Sequence, residues 1–162
     1  MSVLNVALIG SDDFARSLGK KGDSRDIDSY VHKESKDGGV RVLSLLRPLK
    51  HPESIRPLLS VLDVAKAGLM EIGALDAPVG EAMVALGCSG ISKGRVVIAP
   101  RDGGWIDPGQ VRVMLDQAGL SGWEIMEGDI DEHETREWLF GVQDELSKSA
   151  PDASSSSLIL PV

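Results

Sequence analysis

The chain has 162 residues, 42% of them hydrophobic, and 25 acidic against 17 basic side chains give it a formal net charge of -8. This length and composition predict one globular domain with one core and no membrane span, while the negative charge opposes non-specific binding to nucleic acid. The lone Cys88 excludes an intramolecular disulfide, which agrees with a reducing, cytoplasmic compartment.

The first part of the chain predicts a strand, a short helix and a hairpin. The nearly continuous apolar run from Leu4 to Ile9 is typical of a strand that is covered on both faces. Gly10 comes next, and DDFARSLG then begins with acids and ends with glycine, which predicts a helix of at most two turns. Strand candidates at Asp26 to His32 and Val40 to Leu46 flank SKDGG, whose Asp-Gly pair favours a hairpin.

Helices and strands alternate in the rest of the chain. Residues 52–62 have helical spacing, with Pro57 delaying the start of the helix or making it irregular. Asp76 and Asp107, each followed within two residues by a proline, predict the starts of two more helices. The remaining predicted elements are strands at Ala65 to Ile72, Arg95 to Ala99 and Trp123 to Met126, and a terminal helix from Glu132 to Leu146.

This order predicts an α/β fold with three layers, in which helices cover both faces of a mostly parallel sheet of about six strands. We expect Leu4 to Ile9, Ala65 to Ile72 and Arg95 to Ala99 to form the buried centre of that sheet. Residues 1–148 are predicted to be the domain, and the Ser-rich residues 149–162 a tail or linker.

The segment from Gly10 to Lys21 has the outline of a phosphate-binding loop with the wrong spacing. A working loop has four residues between its first glycine and the Gly-Lys pair, and a Ser or Thr directly after the lysine. Here eight residues separate Gly10 from Gly19, and Lys21 follows Lys20 where the hydroxyl is needed. Since eight residues cannot trace the same tight turn as four, we predict that this loop forms no phosphate nest.

The order of strand, phosphate-type loop, hairpin and helix-strand units resembles the GTPase domain of translation factors. The chain looks like an elongation factor Tu-like protein, especially an archaeal paralogue near the selenocysteine-specific elongation factors. Three stretches, which cover most of residues 3–127, carry the resemblance: NVALIG, LDVAKAGLMEIGALDAPVGEAMVALGCSGISKGRVVIAPRD and IDPGQVRVMLDQAGLSGWEIMEG. The resemblance implies a P-loop GTPase-like fold.

The family's nucleotide-binding residues are only partly present. The resemblance assigns Gly10, Gly19 and Lys20 to the phosphate loop and Asp102 to the base-reading motif, as vestigial nucleotide-binding candidates. Arg47 stands where the family has its magnesium-binding acid. The histidines and Cys88 have no metal-ligand spacing, so we predict no metal ligand and no catalytic residue.

Two functions are compatible with this resemblance. The first is a binding or regulatory module, with a protein or ribosomal partner and no cofactor, that has lost GTP hydrolysis and nucleotide binding. The alternative is an active GTP-binding elongation factor with divergent loops, which needs GTP and Mg²⁺. The sequence favours the first, because the phosphate, magnesium, switch and base motifs are all altered together. A metabolic enzyme is a third class, but no activated nucleophile or acid-base pair is evident at the strand ends.

Overall fold

The structure is a computed structural model that describes residues 2–24, 27–36, 38–49, 56–100, 104–128 and 130–149. These ranges contain seven strands and five helices. The strands are β1 (Ser2–Ile9), β2 (Lys20–Ser24), β3 (Ile27–Lys36), β4 (Gly39–Pro48), β5 (Ala67–Ile72), β6 (Gly94–Ile98) and β7 (Glu124–Glu127), and the helices are α1 (Asp12–Leu18), α2 (Arg56–Val64), α3 (Ala77–Cys88), α4 (Pro108–Gln117) and α5 (Glu132–Ser149).

All seven strands belong to one sheet in the order β2-β3-β4-β1-β5-β6-β7. The five strands from β4 to β7 in that order run parallel to their neighbours, and the β2-β3-β4 end is antiparallel. The mostly parallel sheet is therefore confirmed, with β1, β5 and β6 adjacent in its interior as predicted. The count of about six strands was one short, because β2 was not predicted.

The helices cover both faces of the sheet, which confirms the three-layer α/β architecture. On one face, α2, α3 and α4 bury a cluster that includes Leu58, Met83 and Val111. On the other face, α1 and α5 bury a second cluster that includes Phe14 and Leu139. Residues of β1 and β5 contribute to both clusters, because successive side chains of a strand point to opposite faces.

Side-chain caps fix the starts of four helices, and at α5 the Asp131 carboxylate accepts from the Glu134 N–H at 3.0 Å. Asp76 accepts a hydrogen bond from the Val79 N–H at 3.2 Å, and Asp107 accepts one from the Gly109 N–H at 2.9 Å. Both caps were predicted from the aspartate-proline pattern. Ser11 caps α1 in the same way. Helix α2 is described from Arg56 onward, and the earlier part of the helix predicted from residue 52 lies outside the described ranges.

The predicted hairpin is present, and an additional edge strand precedes it in the chain. β3 and β4 pair in register from Ile27 with Pro48 to Lys36 with Gly39, and Gly38 adopts a φ of 79° in the turn. β2 then pairs antiparallel with β3 at the edge of the sheet. The sequence KKGDS has no apolar alternation, so nothing in it predicted a strand. Among the described residues, no helix is long and apolar enough to cross a bilayer.

Candidate functional site

A cleft lies at the carboxyl ends of β1, β5 and β6, where open α/β sheets bind ligands. After β1 the chain forms β2, β3 and β4 on one side of that strand, and β5 and β6 lie on its other side. The strand order therefore reverses at β1. The middle of the cleft has a volume of 390 Å³, and the residues that line it are Gly10, Ser11, Glu71, Gly73, Val79 and Ala99.

Two further cavities extend this cleft in opposite directions. Toward α5, a volume of 520 Å³ shares Ser11 and Glu71 with the middle part and adds Asp13 and Glu132 to its lining. Toward α4, a volume of 480 Å³ shares Gly73 with the middle part; Leu75, Pro100, Trp105 and Asp107 are among the residues it adds. We refer to the three connected volumes together as the carboxyl-edge cleft.

Glu71 occupies the floor of the cleft directly against the loop that follows β1. Its Oε1 accepts a hydrogen bond from the Ser11 N–H at 2.9 Å. Gly10 makes this close approach sterically feasible, since a Cβ at position 10 would lie 2.9 Å from the Glu71 Cβ. The first amide after Gly10 therefore binds a carboxylate that belongs to the protein itself.

The other amides of this segment whose acceptors are known point to separate atoms. The Phe14 N–H donates to Ser11 Oγ, the Ala15 N–H to the Ser11 carbonyl and the Gly19 N–H to the Ala15 carbonyl, each at 3.1 Å. These are the cap and ladder bonds of α1. Together with the Ser11 amide they give four donors with four different acceptors, as expected if residues 10–20 form no phosphate nest.

The structure separates the predicted nucleotide-binding residues. Gly10 borders the carboxyl-edge cleft. Gly19 lies at the end of α1, where a Cβ at position 19 would be 3.1 Å from backbone atoms of Tyr30 and Val31. Lys20 begins β2 opposite Val31, is exposed, and borders a different cavity of 550 Å³. Helix α1 stands between the two glycines, so they are not parts of one loop. Asp102, the base-motif candidate, lies outside the described residues.

Arg47 stands at the end of β4, where the family resemblance places a magnesium-binding acid. Its Nε donates to the Gly10 carbonyl oxygen at 2.7 Å, and its guanidinium also donates to Asp28 Oδ2 at 3.1 Å. Asp28 is only 3% exposed, and it also lies 3.4 Å from the Lys21 ammonium. The arginine is therefore fixed by charge-assisted hydrogen bonds that tie β4, β3 and the first loop together.

Asp12, the first residue of α1, belongs to the same network. Its carboxylate accepts from the Tyr30 hydroxyl at 2.6 Å, from Arg16 Nε at 2.6 Å and from the Lys21 ammonium at 3.2 Å. The hydrogen bond from Tyr30, followed by that from Arg16, holds the pKa of Asp12 well below its usual value. Burial, reinforced by the bond to Asp12, raises the pKa of Tyr30. Asp12 is therefore ionised and its charge is balanced locally.

Among the described residues, the charged side chains that line the carboxyl-edge cleft are acidic. They are Asp13, Glu71, Asp107 and Glu132, and no lysine or arginine lines the cleft among the residues that the structure describes. Within the same ranges, no three His, Cys, Asp or Glu side chains come together as a metal site. Glu71 was not predicted as a site residue, although a charged residue in the otherwise apolar strand AGLMEI is a sequence signal for one.

Fold and site define a three-layer α/β protein with an acidic, partly apolar cleft at the carboxyl edge of its sheet. The chain is similar to an uncharacterized protein of Methanocaldococcus jannaschii, with 29% identity over 130 residues. The matched segment covers 80% of this chain and 40% of that relative, so the chain spans less than half of the relative's length. The chain matches no protein-family model.

Proposed function

We propose that the chain is a P-loop GTPase-like protein of the translation elongation factor type that has lost GTP hydrolysis and nucleotide binding and acts as a binding or regulatory module. The order of its elements supports this proposal. A buried strand, a short helix, an antiparallel hairpin and then helix-strand units follow one another, as the resemblance implies. The proposed partner is a protein or a ribosomal component, and the proposed module uses no cofactor.

The observation that carries the proposal is the hydrogen bond between the Ser11 N–H and the Glu71 carboxylate. In a functioning phosphate loop the amides after the first glycine surround phosphate oxygens. Here one of them is bonded to an anionic side chain. A phosphate placed 4 Å from that carboxylate would be repelled by about 4 kcal/mol per pair of unit charges at an effective dielectric constant of 20.

The positions of the cations support the same conclusion. Phosphoryl transfer in this class needs a lysine at the terminal phosphates and acids that hold magnesium. Lys20 is the first residue of β2 and lines a different cavity, and Arg47 is bonded to Gly10 and Asp28 where the resemblance expects an acid. The lysine is thus displaced from the first loop, and the charge at position 47 is the reverse of the one that would hold magnesium.

Thermal unfolding with nucleotides tests the proposal. We expect no change in melting temperature with millimolar GTP and magnesium, relative to magnesium alone or to ATP with magnesium. A nucleotide at 100 times its dissociation constant would add about 2.7 kcal/mol of stability, which corresponds to a shift of several degrees for a domain of this size. Phosphate release should also stay at the level of the buffer.

A shift that requires both GTP and magnesium and is absent with ATP would refute the proposal and support the alternative, an active GTP-binding elongation factor with divergent loops. The variant Glu71→Ala tests whether this carboxylate alone prevents GTP binding. It removes the repelling charge and should leave the fold of β5 intact. If Glu71→Ala also fails to respond to GTP, the loss of binding extends beyond this one residue, as the proposal requires.

A further inference from the structure

The three volumes of the carboxyl-edge cleft lie next to one another along one edge of the sheet, and we call this row of volumes the channel. Its middle part shares Ser11, Glu71 and Ala99 with the part toward α5, and it shares Gly73 with the part toward α4. A series of connected volumes that follows the ends of neighbouring strands suits an extended ligand better than a compact one.

One end of this channel carries an exposed tryptophan. Trp105 is 78% exposed, whereas Trp123 is buried in the core and Trp138 packs against the Arg95 guanidinium at 4.5 Å. Leu75, Pro100 and Ile106 are apolar residues that line the same cavity as Trp105. An indole face in such a setting is a preferred contact for a guanidinium group and is enriched among the residues that dominate protein interfaces.

The described charged side chains in the rest of the channel are negative. Glu71 lies in its middle, and Asp13 and Glu132 line the end toward α5, where both are exposed. This local charge has the same sign as the net charge of -8 for the whole chain. An occupant with phosphate groups or acidic side chains would therefore be repelled, and a cationic occupant would be attracted.

We propose that the carboxyl-edge cleft binds an extended, arginine-bearing segment of a partner protein, with one guanidinium stacked on Trp105 and others paired with the carboxylates at the opposite end. This inference rests on the proposed function and names the class of its partner. Arginine fits better than lysine, because its planar guanidinium both stacks on an indole and forms paired hydrogen bonds to a carboxylate. Charge complementarity selects this occupant over an acidic peptide or a nucleic acid.

The test measures the binding of a fluorescein-labelled peptide in which arginines alternate with glycine and serine, by fluorescence anisotropy. Binding should be saturable, should weaken as salt is raised and should be lost when glutamate replaces arginine in the peptide. Trp105→Ala should weaken binding about tenfold. Because Trp105 is exposed, this variant should unfold at the same temperature as the wild type.

A matched pair of charge variants separates the cleft from general electrostatics. Asp13→Asn with Glu132→Gln should weaken binding several-fold, whereas Asp63→Asn with Asp116→Asn, which changes the net charge equally on α2 and α4, should leave it unchanged. Equal losses in both pairs would overturn the inference, and so would absence of arginine-peptide binding or tighter binding of the glutamate peptide or of a single-stranded oligonucleotide. The GTP melts decide the proposed function separately, since they do not depend on the peptide.

Discussion

Replacing Gly68 by alanine should destabilise the protein by about 2 to 6 kcal/mol, because it forces a side chain into the space of the buried Trp123 ring. Gly68 on β5 and Gly94 on β6 are partners in register, and the indole lies over both. A Cβ at position 68 would lie 2.5 Å from Trp123 Cη2 and 2.8 Å from Cζ2. Carbon atoms in contact lie about 3.5 to 4.0 Å apart, so roughly 1 Å of movement is required.

Neither partner can move without further loss. β5 lies between β1 and β6, and the Gly68 N–H donates to the Lys93 carbonyl oxygen at 3.0 Å. The Trp123 Nε1–H donates to the Ile91 carbonyl oxygen at 2.9 Å within the core. Overpacking costs about 1 to 3 kcal/mol, and leaving a buried indole N–H without its acceptor costs about another 1 to 3 kcal/mol; their sum is the expected range.

Urea denaturation followed by far-UV circular dichroism measures this change, and near-UV dichroism reports on the indole environment. Gly141→Ala is the matched control, since a Cβ built there would meet no atom within 4 Å beyond its chain neighbours and the backbone of its own helix, and α5 should gain about 0.5 to 1 kcal/mol. In a Trp123→Leu background, the penalty of Gly68→Ala should shrink markedly. An unchanged penalty in that background, or a Gly68→Ala midpoint equal to the wild type, would show the reasoning to be wrong.

Three further outcomes follow from the charged groups. Burial lowers the pKa of His32, so the protein should lose stability as the pH falls below the unfolded value of 6.5, and melts of His32→Gln should depend less on pH across that range. The Tyr30 bond lowers the pKa of Asp12 from 3.8, so its stabilisation is present above that pH and lost below it. Acid titration of Asp12→Asn should therefore be flatter below pH 3.8. Arg95 bonds both oxygens of Glu134, at 2.7 and 3.0 Å, and Arg95→Lys should cost about 1 to 3 kcal/mol in urea denaturation, because a lysine cannot form the paired geometry. An Arg95→Lys midpoint equal to the wild type would contradict that assignment.

The parts of the fold that were predictable are those encoded by local patterns. The apolar runs of β1, β5 and β6 required burial on both faces, and only the interior of a covered parallel sheet provides it. The aspartate-proline pairs fixed two helix starts, because a cap and a proline act within one turn of the chain. Such signals depend on residues close in sequence, so they can be recognised without any knowledge of the tertiary structure.

Local sequence patterns predicted neither the edge strand β2 nor the position of Lys20 within it. β2 is polar, and it is a strand only because β3 offers it an unpaired edge. Once Lys20 and Lys21 belong to that strand, the Gly-Lys pair is no longer part of a loop after β1. The motif therefore combined Gly10, which follows β1, with Lys20, which begins β2. The helix α1, which the segment DDFARSLG predicted, lies between them in the chain and already indicated that they do not share one loop.

The candidate site was hidden because its decisive contacts join distant positions. Glu71 meets Ser11 across 60 positions, and Arg47 meets Gly10 across 37. Each charge stands at or near the end of an apolar strand, where parallel strands bring their carboxyl ends to one edge. Both contacts have a charge opposite to the one that the family resemblance implies: an acid lies where the family binds a phosphate, and a cation lies where the family has a metal-binding acid. We expect this arrangement to favour cations over phosphates, and the peptide and nucleotide experiments therefore test two consequences of one arrangement of charge.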